Sequence, residues 1–90
     1  MEQQLNAVYK DLADKHIFIT GGASGIGAEM VRAFSAQGAR VSFIDFDSGS
    51  ATKLCADIAS KGSETPWFRE VDVTDVPALE KSIEDAAAEF

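Results

Sequence analysis

Cysteine and histidine are almost absent from this sequence, which contains one of each, Cys55 and His16. A lone cysteine cannot form a disulfide within the chain, and a lone histidine has no partner at the spacing of metal ligands. Apolar runs are also short, and none approaches the ~20 residues that a membrane-spanning helix needs. No basic-then-apolar leader opens the chain. We therefore expect a cytoplasmic protein with no metal site and no membrane association.

Basic residues are scarce as well, with eight Lys and Arg against fifteen Asp and Glu and a net charge of −7. This charge repels nucleic acid backbones and anionic membrane surfaces, so neither is an expected partner. A local phosphate site remains possible because backbone N–H groups at a helix N-terminus can form one without basic side chains. The apolar fraction of 46% and the charged fraction of 26% are typical of a soluble globular domain.

Three short apolar segments have the composition of strands buried in a parallel sheet. They cover residues 15–20 (KHIFIT), 40–45 (RVSFID) and 65–71. Residues 1–12 are mixed and polar, and we interpret them as a lead-in segment. The remaining residues, 13–90, are interpreted as one partial domain.

Apolar residues recur with helical spacing after each strand segment. The first helix is expected over residues 24–37, the second from Asp47 or Ser48 up to Gly62, and the third from a start within residues 74–77. The expected apolar faces are Ile26, Met30, Ala33 and Phe34 in the first helix, Ala51, Leu54, Cys55 and Ile58 in the second, and Leu79, Ile83, Ala86, Ala87 and Phe90 in the third.

The resulting β-α-β-α-β-α order predicts an α/β fold with a parallel sheet and helices on both of its faces. It corresponds to the first half of a doubly wound sheet, with strand order 3-2-1. The first strand is central in such a fold, so one of its edges has no partner in this half. An unpaired strand of this type favours aggregation, and we expect self-association through that edge.

A glycine-rich segment, residues 20–27 (TGGASGIG), joins the first strand to the first helix. Gly21 permits a tight turn, Gly25 lets the backbone approach a pyrophosphate, and Gly27 lets the helix pack closely on the strand. The helix N-terminus then offers N–H groups and the positive end of its dipole to phosphates. The Lys-Ser/Thr pair of a P-loop does not follow the last glycine. The alternative is a glycine-rich turn without a ligand.

Asp45 stands twenty positions after Gly25, at the end of the second strand segment. A carboxylate at this point accepts hydrogen bonds from the ribose hydroxyls of adenosine and repels a 2′-phosphate. No Arg or Lys occurs within residues 43–52, and Ser24 is neutral, so the sequence favours NAD over NADP. Alternatively, Asp45 caps the following loop, and Asp47 shares or takes the ribose role.

The T-G-x-x-x-G-x-G segment, Asp45 and the Asp72–Val73 pair after the third strand together resemble the short-chain dehydrogenase/reductase family over residues 12–90. The resemblance implies a Rossmann-like fold and hydride transfer between NAD and a small alcohol or carbonyl substrate. It also implies that the Asp72 carboxylate contacts the adenine amine and that the Val73 backbone lies alongside the ring. The expected cofactor-binding residues are Gly21, Ser24, Gly25, Ile26, Gly27, Asp45, Asp72 and Val73.

No catalytic residue of that family is matched here. The family uses a Ser, a Tyr-x-x-x-Lys pair and an Asn, whereas the only tyrosine is Tyr9, followed four positions later by Ala13, and the only asparagine is Asn6. We therefore expect the N-terminal, nucleotide-binding part of a dehydrogenase, without activity of its own and with weak NAD affinity. The region 9–27 is similar to sugar- and polyol-oxidising members. The alternatives are a non-catalytic NAD-binding or regulatory module and part of an S-adenosylmethionine-dependent methyltransferase.

Overall fold

The computed structural model describes residues 15–89 and contains three strands that alternate with three helices. The elements are β1 (His16–Thr20), α1 (Gly25–Ala36), β2 (Arg40–Asp45), α2 (Ser48–Ser60), β3 (Trp67–Glu70) and α3 (Val76–Glu89). The expected lead-in segment, the side chains of Tyr9 and Asn6, and the Phe90 expected on the third helix lie outside the described residues.

The strands form one parallel sheet in the order β1-β2-β3, which confirms the predicted α/β fold and strand order. Thr20 pairs with Ile44 and Asp45 pairs with Glu70, so all three strands end at the same edge, called here the C-terminal edge. β3 is shorter than the predicted segment 65–71. Pro66 precedes it and has no N–H group to donate to a sheet, which limits the strand at that end.

One face of the sheet is covered by α1 and α2, which also contact each other, and is called here the α1/α2 face. Its core is apolar and comprises Ile19, Ala23, Ala28, Val31, Ala39, Val41, Phe43, Ala51, Leu54 and Ile58. The predicted apolar face of the second helix is thus confirmed, with Cys55 partly buried against the core. The prediction that Ile26 belongs to the buried face of the first helix is wrong, because this side chain, in the first turn of α1, is 55% exposed.

The opposite face, called here the α3 face, carries the alternate side chains of the strands and lies under α3, which contacts β1. Ser82 and Ala86 are the buried residues of α3, whereas Ile83 and Ala87 are exposed, so the predicted apolar face of this helix is wrong at both positions. Burial of a serine is tolerated because the Ser82 hydroxyl donates to the Ala78 carbonyl of the preceding turn, 2.8 Å away.

Candidate nucleotide-binding site

The segment 20–27, called here the glycine loop, leaves β1 at the C-terminal edge and enters α1. Gly21 and Gly25 have φ angles of +70° and +57°, in the left-handed region that other residues adopt at a cost. A Cβ atom added to either glycine meets nothing within 4 Å. Backbone conformation therefore explains glycine at these two positions, and the space beside Gly25 is open to a ligand.

Gly27 and Gly22 are required for a different reason, which is the lack of space. A Cβ atom on Gly27 collides with the carbonyl oxygen of Gly21 and lies 2.8 Å from its carbonyl carbon. The close approach predicted for Gly27 is thus made to the turn that follows β1. A Cβ atom on Gly22 lies 2.7 Å from the Cβ and Cδ2 atoms of the buried Phe43. Sequence reasoning did not single out Gly22, although it forms a Gly-Gly pair with Gly21.

The last residues of β2 hold the glycine loop in place. The N–H groups of Gly21 and Gly22 both donate to the carbonyl oxygen of Ile44, at 2.8 and 3.3 Å. The next N–H group, that of Ala23, donates to the Asp45 carboxylate, 3.0 Å from Oδ2. Three consecutive amides of the loop are therefore fixed by two consecutive residues of β2.

The start of α1 presents donors without intrahelical acceptors. The N–H groups of Gly25, Ile26 and Gly27 belong to the first helical turn, and the N–H of Ala28 is the first to donate within the helix, to the carbonyl of Ser24 at 3.2 Å. Ser24 is the N-cap residue, and its side chain makes no capping hydrogen bond. The first turn thus offers several N–H groups and the positive end of the helix dipole to an anion.

Asp45 is half-buried at the C-terminal edge, and both of its carboxylate oxygens accept backbone hydrogen bonds. Oδ2 accepts from Ala23 as described, and Oδ1 accepts from the N–H of Asp47 at 2.9 Å. Asp45 thus does hold the loop that follows it, as the alternative proposed. Each carboxylate oxygen has two lone pairs, so acceptor capacity remains for hydroxyl groups of a ligand.

Asp47, the alternative ribose ligand, is engaged elsewhere. Its side chain caps α2 by accepting from the N–H and the hydroxyl of Ser50, at 3.0 and 2.6 Å. These two donors lower the pKa of the Asp47 carboxyl below its ordinary value. The start of α2 at Ser48 confirms the predicted start near Asp47 or Ser48.

Asp72 and Val73 follow β3 at the same edge of the sheet. Oδ1 of Asp72 accepts from the N–H and the hydroxyl of Thr74, at 2.9 and 2.7 Å, and both donors lower the pKa of this carboxyl. The Val71 N–H donates to the carbonyl of Asp45 at 3.1 Å, which places the start of this segment beside the end of β2. The glycine loop, Asp45 and Asp72 therefore follow three neighbouring strands.

Large apolar side chains are exposed around this edge. Ile26, Phe46, Val73 and Val76 are between 49% and 68% exposed, and all four lie in or next to the segments that follow the strands. Phe46 is the most exposed of them and was not among the predicted site residues. The sequence signal that could have identified Phe46 is its position as an aromatic residue directly after Asp45. Exposed apolar groups beside polar ones are typical of ligand sites.

An open groove of about 590 Å³ runs from the glycine loop between α1 and α2. Its lining includes Ser24, Arg32, Lys53 and Asp57. Arg32 Nε lies 3.3 Å from Asp57 Oδ2, and Lys61 Nζ lies 3.4 Å from the same oxygen. These two cations lower the pKa of Asp57. The absence of Arg and Lys from residues 43–52 did not reveal the two cations that line the groove, Arg32 and Lys53. Lys53 makes no ion pair with any residue in the part of the chain that the structure describes.

Residues 15–89 contain neither a membrane-spanning helix nor a cluster of metal ligands. No helix in this range is long and apolar enough to cross a membrane. No group of three or more His, Cys, Asp or Glu side chains in the same range is arranged to hold a metal ion.

Comparisons with known proteins agree with this arrangement. The chain is 40% identical over 82 residues to a probable galactose dehydrogenase of Rhizobium meliloti, which covers 91% of this chain and 32% of that protein. It is 37% identical over 75 residues to a D-xylose 1-dehydrogenase of Caulobacter vibrioides, covering 82% and 29%. The apo crystal structure of LigD from a Sphingobium species superposes with a TM-score of 0.81 and 30% identity, covering 89% and 34%.

The chain spans about a third of the length of the curated relatives that it matches. The model of one protein family, described as short chain dehydrogenase, matches residues 15–90 and so contains the glycine loop, Asp45 and the Asp72–Val73 pair. This match confirms the resemblance noted in the sequence and does not favour a methyltransferase. The chain belongs to the short-chain dehydrogenase family.

Proposed function

We propose that this chain binds NAD through the adenosine and pyrophosphate groups, as the nucleotide-binding portion of an NAD-dependent dehydrogenase. The observation that carries the proposal is the Asp45 carboxylate, which stands at the C-terminal edge within hydrogen-bonding distance of the glycine loop. An acceptor for ribose hydroxyls thereby lies beside a helix N-terminus suited to phosphates. The seven other predicted site residues, Gly21, Ser24, Gly25, Ile26, Gly27, Asp72 and Val73, belong to the same proposal.

The backbone of the loop fits a pyrophosphate. The left-handed turn at Gly25 has open space where another residue has its Cβ atom, so phosphate oxygens have access to the main chain. The first-turn N–H groups of α1 supply donors without a positive side chain, which is consistent with the acidic composition. When bound, the nicotinamide of NAD accepts or delivers the hydride. The chain's own residues bind and orient the other half of the molecule.

The adenosine end is assigned to the segments that follow β2 and β3. Phe46 directly follows β2 and Val73 lies three residues after β3, and these exposed apolar side chains offer surfaces to a flat ring. Asp72 keeps an ionised carboxylate, since Thr74 lowers its pKa, and an ionised carboxylate accepts a hydrogen bond from the adenine amine.

NAD is favoured over NADP because Asp45 places a negative charge where a 2′-phosphate would lie. Lys53 and Arg32 line the adjoining groove and oppose this effect, but Arg32 is paired with Asp57. We give Asp45 more weight than Lys53, because the Asp45 carboxylate accepts a hydrogen bond from the glycine loop itself.

Nucleotide titration tests this assignment. We expect the chain to bind NAD more tightly than NADP in calorimetric titration, and the double substitution Asp45→Ala with Phe46→Arg to shift the ratio of the two dissociation constants toward NADP by about tenfold or more, equivalent to about 1.4 kcal/mol. Phe46→Arg alone is the matched control, because it adds the cation and retains the carboxylate. An unchanged ratio in the double variant excludes Asp45 as the ribose ligand.

The substrate class is proposed from the relatives. Two of them are named as dehydrogenases of galactose and of D-xylose, which supports a sugar or a similar small alcohol as the substrate of the intact enzyme. The ninety-residue chain lacks the Tyr-x-x-x-Lys pair of the family. We therefore expect no NADH formation, measured by absorbance, when the chain is supplied with NAD and either sugar. Turnover in a preparation free of other dehydrogenases contradicts this expectation.

A further inference from the structure

Asp45 contacts two loops at the same time, and these contacts suggest a role that ribose binding does not require. Oδ2 accepts from the N–H of Ala23 in the glycine loop, and Oδ1 accepts from the N–H of Asp47 in the loop before α2. A residue that only accepts from ribose hydroxyls has no need of either contact. The carboxylate instead links the segments that follow β1 and β2.

The hydrogen bond to Ala23 matters because this residue is only 6% exposed. A buried N–H group without an acceptor is costly, so the loop must move toward water or another acceptor when the carboxylate is removed. A hydrogen bond to an ionised acceptor is also stronger than one between neutral groups. Among the described residues, Asp45 is the only charged acceptor of a hydrogen bond from the glycine-loop backbone.

The position of Ala23 in the loop determines what its movement affects. Gly21 and Gly22 are fixed by the Ile44 carbonyl, and Ala23 is the last anchored amide before Ser24 and the left-handed turn at Gly25. Release of Ala23 therefore frees the turn that carries the first N–H groups of α1. These are the groups assigned above to the pyrophosphate.

We propose that Asp45 is a positioning residue for the pyrophosphate site as well as a ribose ligand, acting through its hydrogen bond to the Ala23 amide. This inference rests on the proposed nucleotide-binding function. It predicts that loss of the carboxylate weakens binding even of a nucleotide that has no ribose hydroxyl groups to offer. If Asp45 acts on ribose alone, its removal does not weaken the binding of such a nucleotide. The loss of a negative charge near the phosphates by itself strengthens that binding.

Binding of ADP and of 2′,3′-dideoxy-ADP to the full chain separates the two roles. We expect Asp45→Ala to weaken dideoxy-ADP binding at least fivefold and ADP binding by more. Asp45→Asn, which keeps one acceptor oxygen but cannot serve both amides, gives intermediate losses and serves if the alanine variant fails to fold by circular dichroism. Asp47→Ala is the control, since it removes the same charge two residues away and leaves the Ala23 contact in place.

Amide hydrogen exchange gives an independent measurement on the same variants. In Asp45→Ala the Ala23 amide should exchange at least tenfold faster, while the Gly21 amide, which donates to Ile44, keeps its protection. If the unchanged chain binds ADP and Asp45→Ala leaves dideoxy-ADP affinity intact, the positioning role is overturned and the proposed function survives. If the unchanged chain binds neither nucleotide, the proposed function itself is refuted. Equal losses in Asp45→Ala and Asp47→Ala also overturn the positioning role.

Discussion

The two faces of the sheet differ in what they bury. On the α1/α2 face the fully buried side chains include Val31, Phe43 and Ala51, and the Phe43 ring centroid lies 5.0 Å from that of Phe68. On the α3 face the fully buried residues are Ser42, Ile44, Ser82 and Ala86, of which Ile44 is the one large apolar side chain. The α1/α2 face is thus packed by many apolar side chains, whereas the α3 face combines Ile44 with small residues.

Polar contacts reinforce the α3 face at its margin. The guanidinium of Arg69 on β3 lies 4.9 Å from the centre of the Trp67 ring, and its Nη1 atom lies 2.7 Å from Oδ2 of Asp85. Lys81 contacts the other oxygen of Asp85 at 2.8 Å. Such partly exposed pairs contribute little to stability compared with a buried aromatic core.

The two faces also differ in their relation to the glycine loop. Phe43, at the centre of the α1/α2 face, lies directly against Gly22. None of the contacts described for residues 15–89 joins α3 to the loop. The α1/α2 face therefore supports both the fold and the glycine loop, whereas the contacts described for the α3 face support the fold.

The strongest test of this comparison is truncation of Phe43. We expect Phe43→Ala to lower the free energy of unfolding by about 3–5 kcal/mol, because a fully buried ring leaves a cavity in the core. Chemical denaturation followed by circular dichroism measures this loss. Nucleotide affinity, measured without denaturant, should fall as well, because Gly22 loses its contact with the Phe43 side chain. A loss below about 1 kcal/mol, or unchanged nucleotide affinity in a folded variant, contradicts the link between core and loop.

A smaller change reaches the same contact from the loop. Gly22→Ala adds one methyl group against Phe43, and we expect a loss of about 1–3 kcal/mol in the free energy of unfolding from overpacking. Gly49→Ala is the matched control, since its added Cβ lies 3.5 Å from Asp47 Oδ1, an ordinary contact, in the first turn of α2. There alanine is neutral or stabilises by up to about 1 kcal/mol. Equal effects of the two substitutions exclude a steric role for Gly22.

The sequence predicted the buried face of α2 better than the buried faces of α1 and α3. Helical spacing of Ala51, Leu54 and Ile58 predicts a buried stripe, and these residues are buried. The third helix buries Ser82 and leaves Ile83 46% exposed, so the more apolar of these neighbouring residues is not the one that faces the sheet. Hydrophobic periodicity does not encode the space that a helix must fit.

The candidate site was predictable in its backbone and less so in its surroundings. Glycine spacing and the position of Asp45 after a strand predicted the turn and its neighbouring acid. Contacts between distant positions were not predictable, such as the hydrogen bond from the Ala23 N–H to Asp45 or the presence of Ser24 and Lys53 in the lining of one groove. Sequence patterns report on residues that are close along the chain, whereas α1 and α2 are brought into contact by the fold.

On the α3 face we expect a much smaller response. Within residues 15–89 the Ser82 hydroxyl bonds only to a carbonyl of its own helix, so Ser82→Ala should change the free energy of unfolding by no more than about 0.5 kcal/mol. The same denaturation measurement applies, and nucleotide affinity should not change. A loss comparable to that of Phe43→Ala would mean that the two faces depend equally on tight packing.

The smallest expected effect concerns Asp85, and it is present at neutral pH and disappears in acid. Lys81 and Arg69 lower the pKa of Asp85 in the folded chain, so this group stabilises the fold above the pKa of an unfolded Asp, about 3.9. The contribution disappears as the pH falls through the lower, folded-state pKa. We expect Asp85→Asn to reduce the melting temperature slightly at pH 7 and to match the unchanged chain at pH 2. Glu80→Gln, on the same helix and without an ion pair among residues 15–89, is the control. If the difference at pH 7 persists in full at pH 2, the effect of Asp85→Asn comes from packing, and the ion pairs at the margin of the α3 face contribute nothing to its stability.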